Sequence, residues 1–146
     1  MAKSRATAVW EGDLTSGSGR VSTDTGVLSD APVSWAARTQ RPDPNTSPEE
    51  LLAAAHAACY AMAFSGTLAS AGNAPERLTI TAVCHFTPKD GGGFEISEMD
   101  LDVRGRVPGL DQAGFEQAAR EGEEGCPVSN AIRGNVDIKL SATLET

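Results

Sequence analysis

From Leu51 to Phe64 the chain reads Leu-Leu-Ala-Ala-Ala-His-Ala-Ala-Cys-Tyr-Ala-Met-Ala-Phe, apolar on every helical face except at His56. A helix that is apolar nearly all round has no face to offer water, so it must be surrounded by protein. The residues before it carry the marks of a helix start. Ser47 is placed to be the N-cap, Pro48 the first helical residue, and Glu49 and Glu50 the acids of the first turn. Glu50, the third residue after Ser47, completes a capping box. The pattern predicts one helix to about Ala71, ended by Gly72-Asn73. The apolar run itself is too short to span a bilayer and reads as a core helix.

Around this helix the periodicity changes to two. Residues 4–11 and 19–28 read as short strands with Ala6, Ala8 and Trp10 on one face, and Val33 to Ala37 as a third extended piece. Thr39 to Thr46 holds two prolines among polar residues and is loop. Leu78 to Thr87 alternates, with Ile80, Ala82, Cys84 and Phe86 on one face and Thr79, Thr81, Val83 and His85 on the other. Lys89-Asp90-Gly91-Gly92-Gly93 signals a hairpin into Phe94–Val107. There the apolar phase shifts from Phe94 and Ile96 to Met99, Leu101, Val103 and Val107, so a bulge near Ser97-Glu98 is expected. Asp111 to Glu124 reads as a second helix and Pro127 to Arg133 as further turns. A last strand carries Val136, Ile138, Leu140, Ala142 and Leu144 in strict alternation. The fold class is α+β, and residues 1–146 are read as a single domain of ordinary size.

A net charge of −8 argues against nucleic acid and against an anionic membrane surface, both of which select for Lys and Arg. Three cysteines without tight spacing match neither a secreted disulfide scaffold nor a zinc site. With no apolar segment of a signal peptide at the N-terminus, a cytoplasmic location is expected, where thiols stay reduced unless oxidation is their function.

Two of the cysteines carry the chemistry. Cys59 lies inside the apolar helix and is expected to be buried, whereas Cys126, in Gly125-Cys126-Pro127-Val128-Ser129, stands poised at the start of a new turn. Pro127 suits the first helical position, which makes Cys126 an N-cap whose free N–H groups favour a thiolate. A thiol has a pKa of about 8.5, and apolar burial raises it, so reactivity at neutral pH needs a cation and an ordering carboxylate. Arg38 and Arg41 precede the helix, and Glu49 and Glu50 open it. Composition leaves open which of them serve Cys59. His56, one turn before Cys59, fits a structural, hydrogen-bonded role better than a catalytic one. Cys84 reads as core, His85 has no partner in sequence, Trp10 and Phe64 read most simply as core, and Glu121, Glu123 and Glu124 read as a solvated helix end.

Trp10-Glu-Gly-Asp13, Ser47-Pro-Glu-Glu-Leu51, Ala54-Ala-His-Ala-Ala-Cys59 and Gly125-Cys-Pro-Val-Ser129 together resemble the OsmC/Ohr family, the osmotically inducible and organic hydroperoxide resistance proteins, in its OsmC branch. The resemblance runs along essentially the whole chain. It implies an α+β fold of antiparallel sheets wrapped around a long central helix, in an intertwined homodimer with active sites at the subunit interface. It implies a thiol peroxidase acting on organic hydroperoxides, with Cys59 as peroxidatic and Cys126 as resolving cysteine, Arg38 as activating cation and Glu49 as its carboxylate. A lipoyl-type external dithiol is the implied reductant, and no metal or prosthetic group is needed.

A helix argument points to the same assembly. At about 1.5 Å per residue, Glu49 and Cys59 lie roughly 15 Å apart along one straight helix, so one Arg cannot easily bond both. Two antiparallel copies would bring Glu49 of one chain near Cys59 of the other. The rival readings are a non-catalytic module of the same fold holding an apolar ligand, and a stress-induced structural protein whose cysteines are incidental.

Overall fold

The computed structural model describes all 146 residues, which form two compact units, Met1–Leu51 and Leu52–Thr146. In the first unit β1 (Ala6–Glu11), β2 (Ser18–Thr23) and β3 (Ala31–Val33) form an antiparallel sheet in that order. The expected second strand stops at Thr23, because Thr23 to Leu28 folds into a turn closed by Thr23 N–H donating to Leu28 O. The third extended piece is also shorter than expected. Ser34 caps a helix, α1 (Trp35–Thr39), by accepting from the Ala37 N–H through its hydroxyl. That cap overrides the extended reading of 33–37.

Helix α2 spans Pro48–Ser70. Ser47 caps it as expected, its hydroxyl accepting from Glu50 N–H at 3.1 Å. The Glu50 carboxylate does not return to Ser47 but accepts from the Thr46 hydroxyl at 2.7 Å, so only half of the capping box forms. At the other end Asn73 N–H reaches Leu68 O and Gly72 N–H reaches Ala69 O, a Schellman closure that places Gly72 at φ +85°. With 23 residues, α2 is by length and composition apolar enough to cross a membrane. The reading of a run too short to span applies to Leu51–Phe64, which the helix extends at both ends.

The second unit holds the remainder of α2 with β4 (Arg77–Pro88), β5 (Phe94–Arg106), α3 (Gln112–Glu124), α4 (Pro127–Ile132) and β6 (Asp137–Leu144). β5 is the middle strand of the second sheet. β4 and β5 form the expected hairpin, and the bulge falls where the phase shift places it: His85 faces Glu98 and Phe86 faces Ile96, leaving Ser97 as the extra residue. Met99, Leu101 and Val103 thereby stay on the buried face. The sheet is not antiparallel throughout. β6 pairs with β5 in parallel, Leu101 opposite Leu140, because two helices intervene and return the chain to the end from which β5 started.

His56, Tyr60, Phe64 and Leu68 form the buried stripe of α2, one residue per turn. Phe64 meets Phe115 of α3 with ring centroids 5.2 Å apart, and the Tyr60 hydroxyl donates to Ala119 O at 2.9 Å. The opposite stripe, Ala54, Ala58 and Met62, is exposed within this chain. The expectation that α2 be surrounded is therefore met on one side only by its own chain. Gly122 of α3 is fitted against α2, where a Cβ would lie 2.9 Å from the Phe64 Cα. Gly122→Ala should therefore destabilise the fold by about 1–3 kcal/mol, as overpacked cores do. Urea unfolding midpoints at unchanged slope check this.

Candidate active site

Two constellations contain the residues that the sequence singles out. The first is an ion pair. Arg38, in the last turn of α1, donates from Nε to Glu49 Oε1 and Oε2 at 3.1 and 3.2 Å and from its terminal amino group to Oε1 at 2.6 Å. Glu49 is buried in the first turn of α2. Such a two-toothed grip fixes the guanidinium plane as well as its position. Arg38 also lies over the Trp35 ring, 5.8 Å from its centroid. Trp35 escaped the sequence reading. Its spacing of three residues from Arg38 becomes a signal only once the α1 helix is recognised.

Arg41 has a different task. It donates to Asp43 O, Asn45 O and the Ser47 hydroxyl, and its nitrogen stands 3.9 Å from Glu50. It ties the proline-containing loop to the start of α2. Of the two arginines and two glutamates left open by composition, Arg38 and Glu49 form the tight pair.

Beside this pair lies a cavity of about 280 Å³ lined mainly by Trp10, Leu14, Val33, Trp35, Arg38 and Pro48. Trp10 was read most simply as core, yet it is 41% exposed in this chain. It is held instead by its indole N–H, which donates to Gly12 O at 3.1 Å and stands over this apolar wall.

The second constellation holds the thiols. None of the three cysteines is in a disulfide. Cys126 is the N-cap of α4, as expected, and its sulfur accepts from Ser129 N–H at 3.5 Å. The Cys59 thiol feels both the Val128 N–H and the Cys126 thiol, which puts the Cys126 turn beside the middle of α2. The expected contrast in exposure is inverted. Cys126 is 0% exposed and Cys59 is half-buried. Cys126 turns inward at the cap, whereas Cys59 stands between the buried and the uncovered stripes of α2. Burial pushes the Cys59 thiol up, the Val128 N–H pulls it back, and the neighbouring Cys126 raises it again.

Around the thiols lies a polar network that the sequence left almost unmarked. His56 Nε2 is 2.7 Å from Ser129 Oγ, both fully buried. Glu123, read as part of a solvated helix end, is 8% exposed and accepts from Arg133 at 2.8 Å. Burial lowers the His56 pKa, with Glu123 opposing and Arg133 reinforcing that shift. Cys84 packs against the core as expected, as does Phe64 within it.

On the second sheet His85, read as partnerless, lies 2.7 Å from Asp100 and 3.7 Å from Glu98, across the strand pair. These three side chains bring metal-ligating atoms within 4.8 Å of one another. Lys139 holds the other Glu98 oxygen at 2.6 Å, so each group already has a protein partner.

Residues 41–141 match the family model described as OsmC-like protein. This chain belongs to the OsmC-like family. Among its curated relatives, peroxiredoxin OsmC of Escherichia coli (strain K12) is 38% identical over 131 residues, covering 90% of each chain. An organic hydroperoxide resistance protein of Xanthomonas axonopodis pv. citri is 33% identical over 66% of each. Solved structures agree in fold. An organic hydroperoxide resistance protein from Elizabethkingia anophelis superposes with a TM-score of 0.81 at 29% identity, covering 99% of this chain and 98% of that one. OhrB of Bacillus subtilis gives 0.76 at 28% identity, covering 95% and 98%. The α+β OsmC-like architecture is thus established for this chain.

Proposed function

We propose that this protein is a two-cysteine thiol peroxidase that reduces organic hydroperoxides to alcohols. The Cys59 thiolate attacks the terminal peroxide oxygen. The O–O bond breaks, the alkoxide leaves and takes up a proton as the alcohol, and Cys59 becomes a sulfenic acid. Cys126 then attacks the Cys59 sulfur, expelling the hydroxyl as water and forming the Cys59–Cys126 disulfide. An external dithiol, of lipoyl type by family resemblance, returns both thiols by exchange.

The observation that carries this reading is the adjacency of the two sulfurs at the N-terminal turn of α4. The names of the relatives, peroxiredoxin and organic hydroperoxide resistance protein, support the peroxidase class. The apolar cavity bordered by Arg38 suits an alkyl chain better than hydrogen peroxide. On this reading the whole chain acts as one domain in the cytoplasm. Titrating thiols before and after one equivalent of cumene hydroperoxide tests it. Loss of two thiols per chain is expected; no loss favours a non-catalytic binder of apolar ligands.

The partner in catalysis is a second copy of the chain. Val9, Trp10 and Met62 are large apolar side chains left exposed, and Ala54 and Ala58 add to the uncovered stripe of α2. An antiparallel second α2 would cover that stripe and bring the Arg38–Glu49 pair of one chain to Cys59 of the other. Light scattering should give a homodimer at every concentration that retains activity. A fully active monomer removes the composite site.

A further inference from the structure

His56 is a fully buried ionisable group one turn before Cys59, and the proposed chemistry gives it no step. Its one hydrogen bond, Nε2 to Ser129 Oγ at 2.7 Å, joins the helix that carries Cys59 to the helix that carries Cys126. Nδ1 is buried with no partner. A neutral imidazole carries one proton, and buried N–H groups are left orphaned far more rarely than acceptors. The proton therefore belongs on Nε2, which donates to Ser129, and the Nδ1 lone pair is the unpaired group. Burial, which holds the imidazole neutral, agrees with this assignment.

Ser129 is a strategic place for an anchor. Its own N–H donates to Cys126 Sγ at 3.5 Å, and the N–H of the preceding residue, Val128, lies close enough to the Cys59 sulfur to favour its thiolate. One turn of chain thus touches both sulfurs and the imidazole. That turn belongs to a helix of only six residues, too short to hold its shape by internal hydrogen bonds. Its far end is tied to α3 by Arg133, the C-cap of α4, through the ion pair with Glu123 at 2.8 Å. Its near end is tied to α2 by His56.

We propose that His56 is a positioning residue which, through Ser129, holds the first turn of α4 so that Cys126 faces Cys59 for closure of the disulfide. The proposal rests on the two-cysteine reading and adds a residue to it. His56 transfers no proton and touches no substrate in this role.

The closure can be observed without peroxide. In a Cys84→Ala background, Cys59 attacks 5,5′-dithiobis(2-nitrobenzoate), breaking its S–S bond and releasing one thionitrobenzoate. Cys126 then gives up its proton to buffer and attacks the Cys59 sulfur, releasing the second as the Cys59–Cys126 bond forms. The ratio of second to first release rates isolates the alignment of Cys126. His56→Gln puts an amide nitrogen where Nε2 stands, whereas His56→Asn reaches only as far as Nδ1. We expect His56→Asn and Ser129→Ala to lower the ratio about tenfold, the upper range for loss of one hydrogen bond. His56→Gln should stay within about threefold of the parent.

A general loss of stability would strike His56→Asn and His56→Gln alike, so circular dichroism melts accompany each rate. If His56→Asn does not fold, Ser129→Ala decides by itself. Parent-like closure in His56→Asn and Ser129→Ala overturns the positioning role while the two-cysteine reading stands. Equal slowing in His56→Gln and His56→Asn overturns it as well. Release of a single thionitrobenzoate by the parent overturns the two-cysteine reading and this inference with it.

Discussion

Cys59→Ser should consume no organic hydroperoxide, a loss of at least about a thousandfold, as when a catalytic nucleophile is removed. A hydroxyl does not ionise at neutral pH and forms no sulfenic acid. Cys126→Ser should behave differently. It should consume one equivalent per chain and stall, with Cys59 held as sulfenic acid or carried on to sulfinic acid by excess peroxide. Dimedone labelling read by intact mass separates the two variants. Cys126 is fully buried and hydrogen bonded by Ser129 N–H, so its serine replacement fits the same cap and keeps the fold. Sustained turnover by Cys126→Ser with a dithiol would make this cysteine dispensable, and the two-cysteine mechanism would be lost.

Arg38→Ala carries the second large effect. Within its own chain the Cys59 thiol is pushed up, chiefly by burial, and the Val128 N–H opposes that shift. Activation therefore calls for a cation, and in the proposed composite site that cation would be Arg38 of the second copy. A cation within about 4–6 Å lowers a pKa by about 1–3 units. Without it the alkylation and peroxide rates should follow a titration curve displaced upward by that amount. The sign is set by the thiolate, which is the reactive form and grows with pH. The deficit is thus greatest below the parent pKa, about 10- to 1,000-fold, and closes once the pH exceeds the variant's own pKa.

Iodoacetamide rates against pH measure the displacement. Arg38→Lys keeps the charge but not the two-toothed grip on Glu49, so it should recover only part of the rate. Arg41→Ala should loosen the loop that it ties to Ser47 and leave the profile in place. An upward displacement in Arg41→Ala, with none in Arg38→Ala, would reverse the assignment.

Much of the architecture is written in short-range patterns. The Ser47 cap, the Gly72 stop, the Cys126 cap, the Ser97 bulge and the alternation of β6 each depend on residues within a few positions of one another. Their energies are local: a hydroxyl reaching an N–H three residues on, a left-handed glycine, side chains alternating across a pleat. The same holds for the pairing of chemistry with position, since an apolar helix around Cys59 and a proline after Cys126 are visible as strings.

The places where expectation and structure part are those decided by partners distant in the chain. A local exception is the stretch after Val33, which became helix because the Ser34 hydroxyl accepts from the Ala37 N–H three residues on. Acidic Glu123 became buried because Arg133 folds back onto it, and His85 gained Asp100 from the neighbouring strand. No periodicity marks His56 for Ser129, which lies at the far end of the unit in sequence and 2.7 Å away in space. What the sequence alone determined is the menu of elements, the family and the two thiols. Tertiary structure alone decided that β6 lies parallel to β5, that Arg38 rather than Arg41 takes Glu49, and that Cys126 is the deeper sulfur. Those outcomes depend on which surfaces meet when the elements pack, and contact energies between remote residues leave no trace in local spacing.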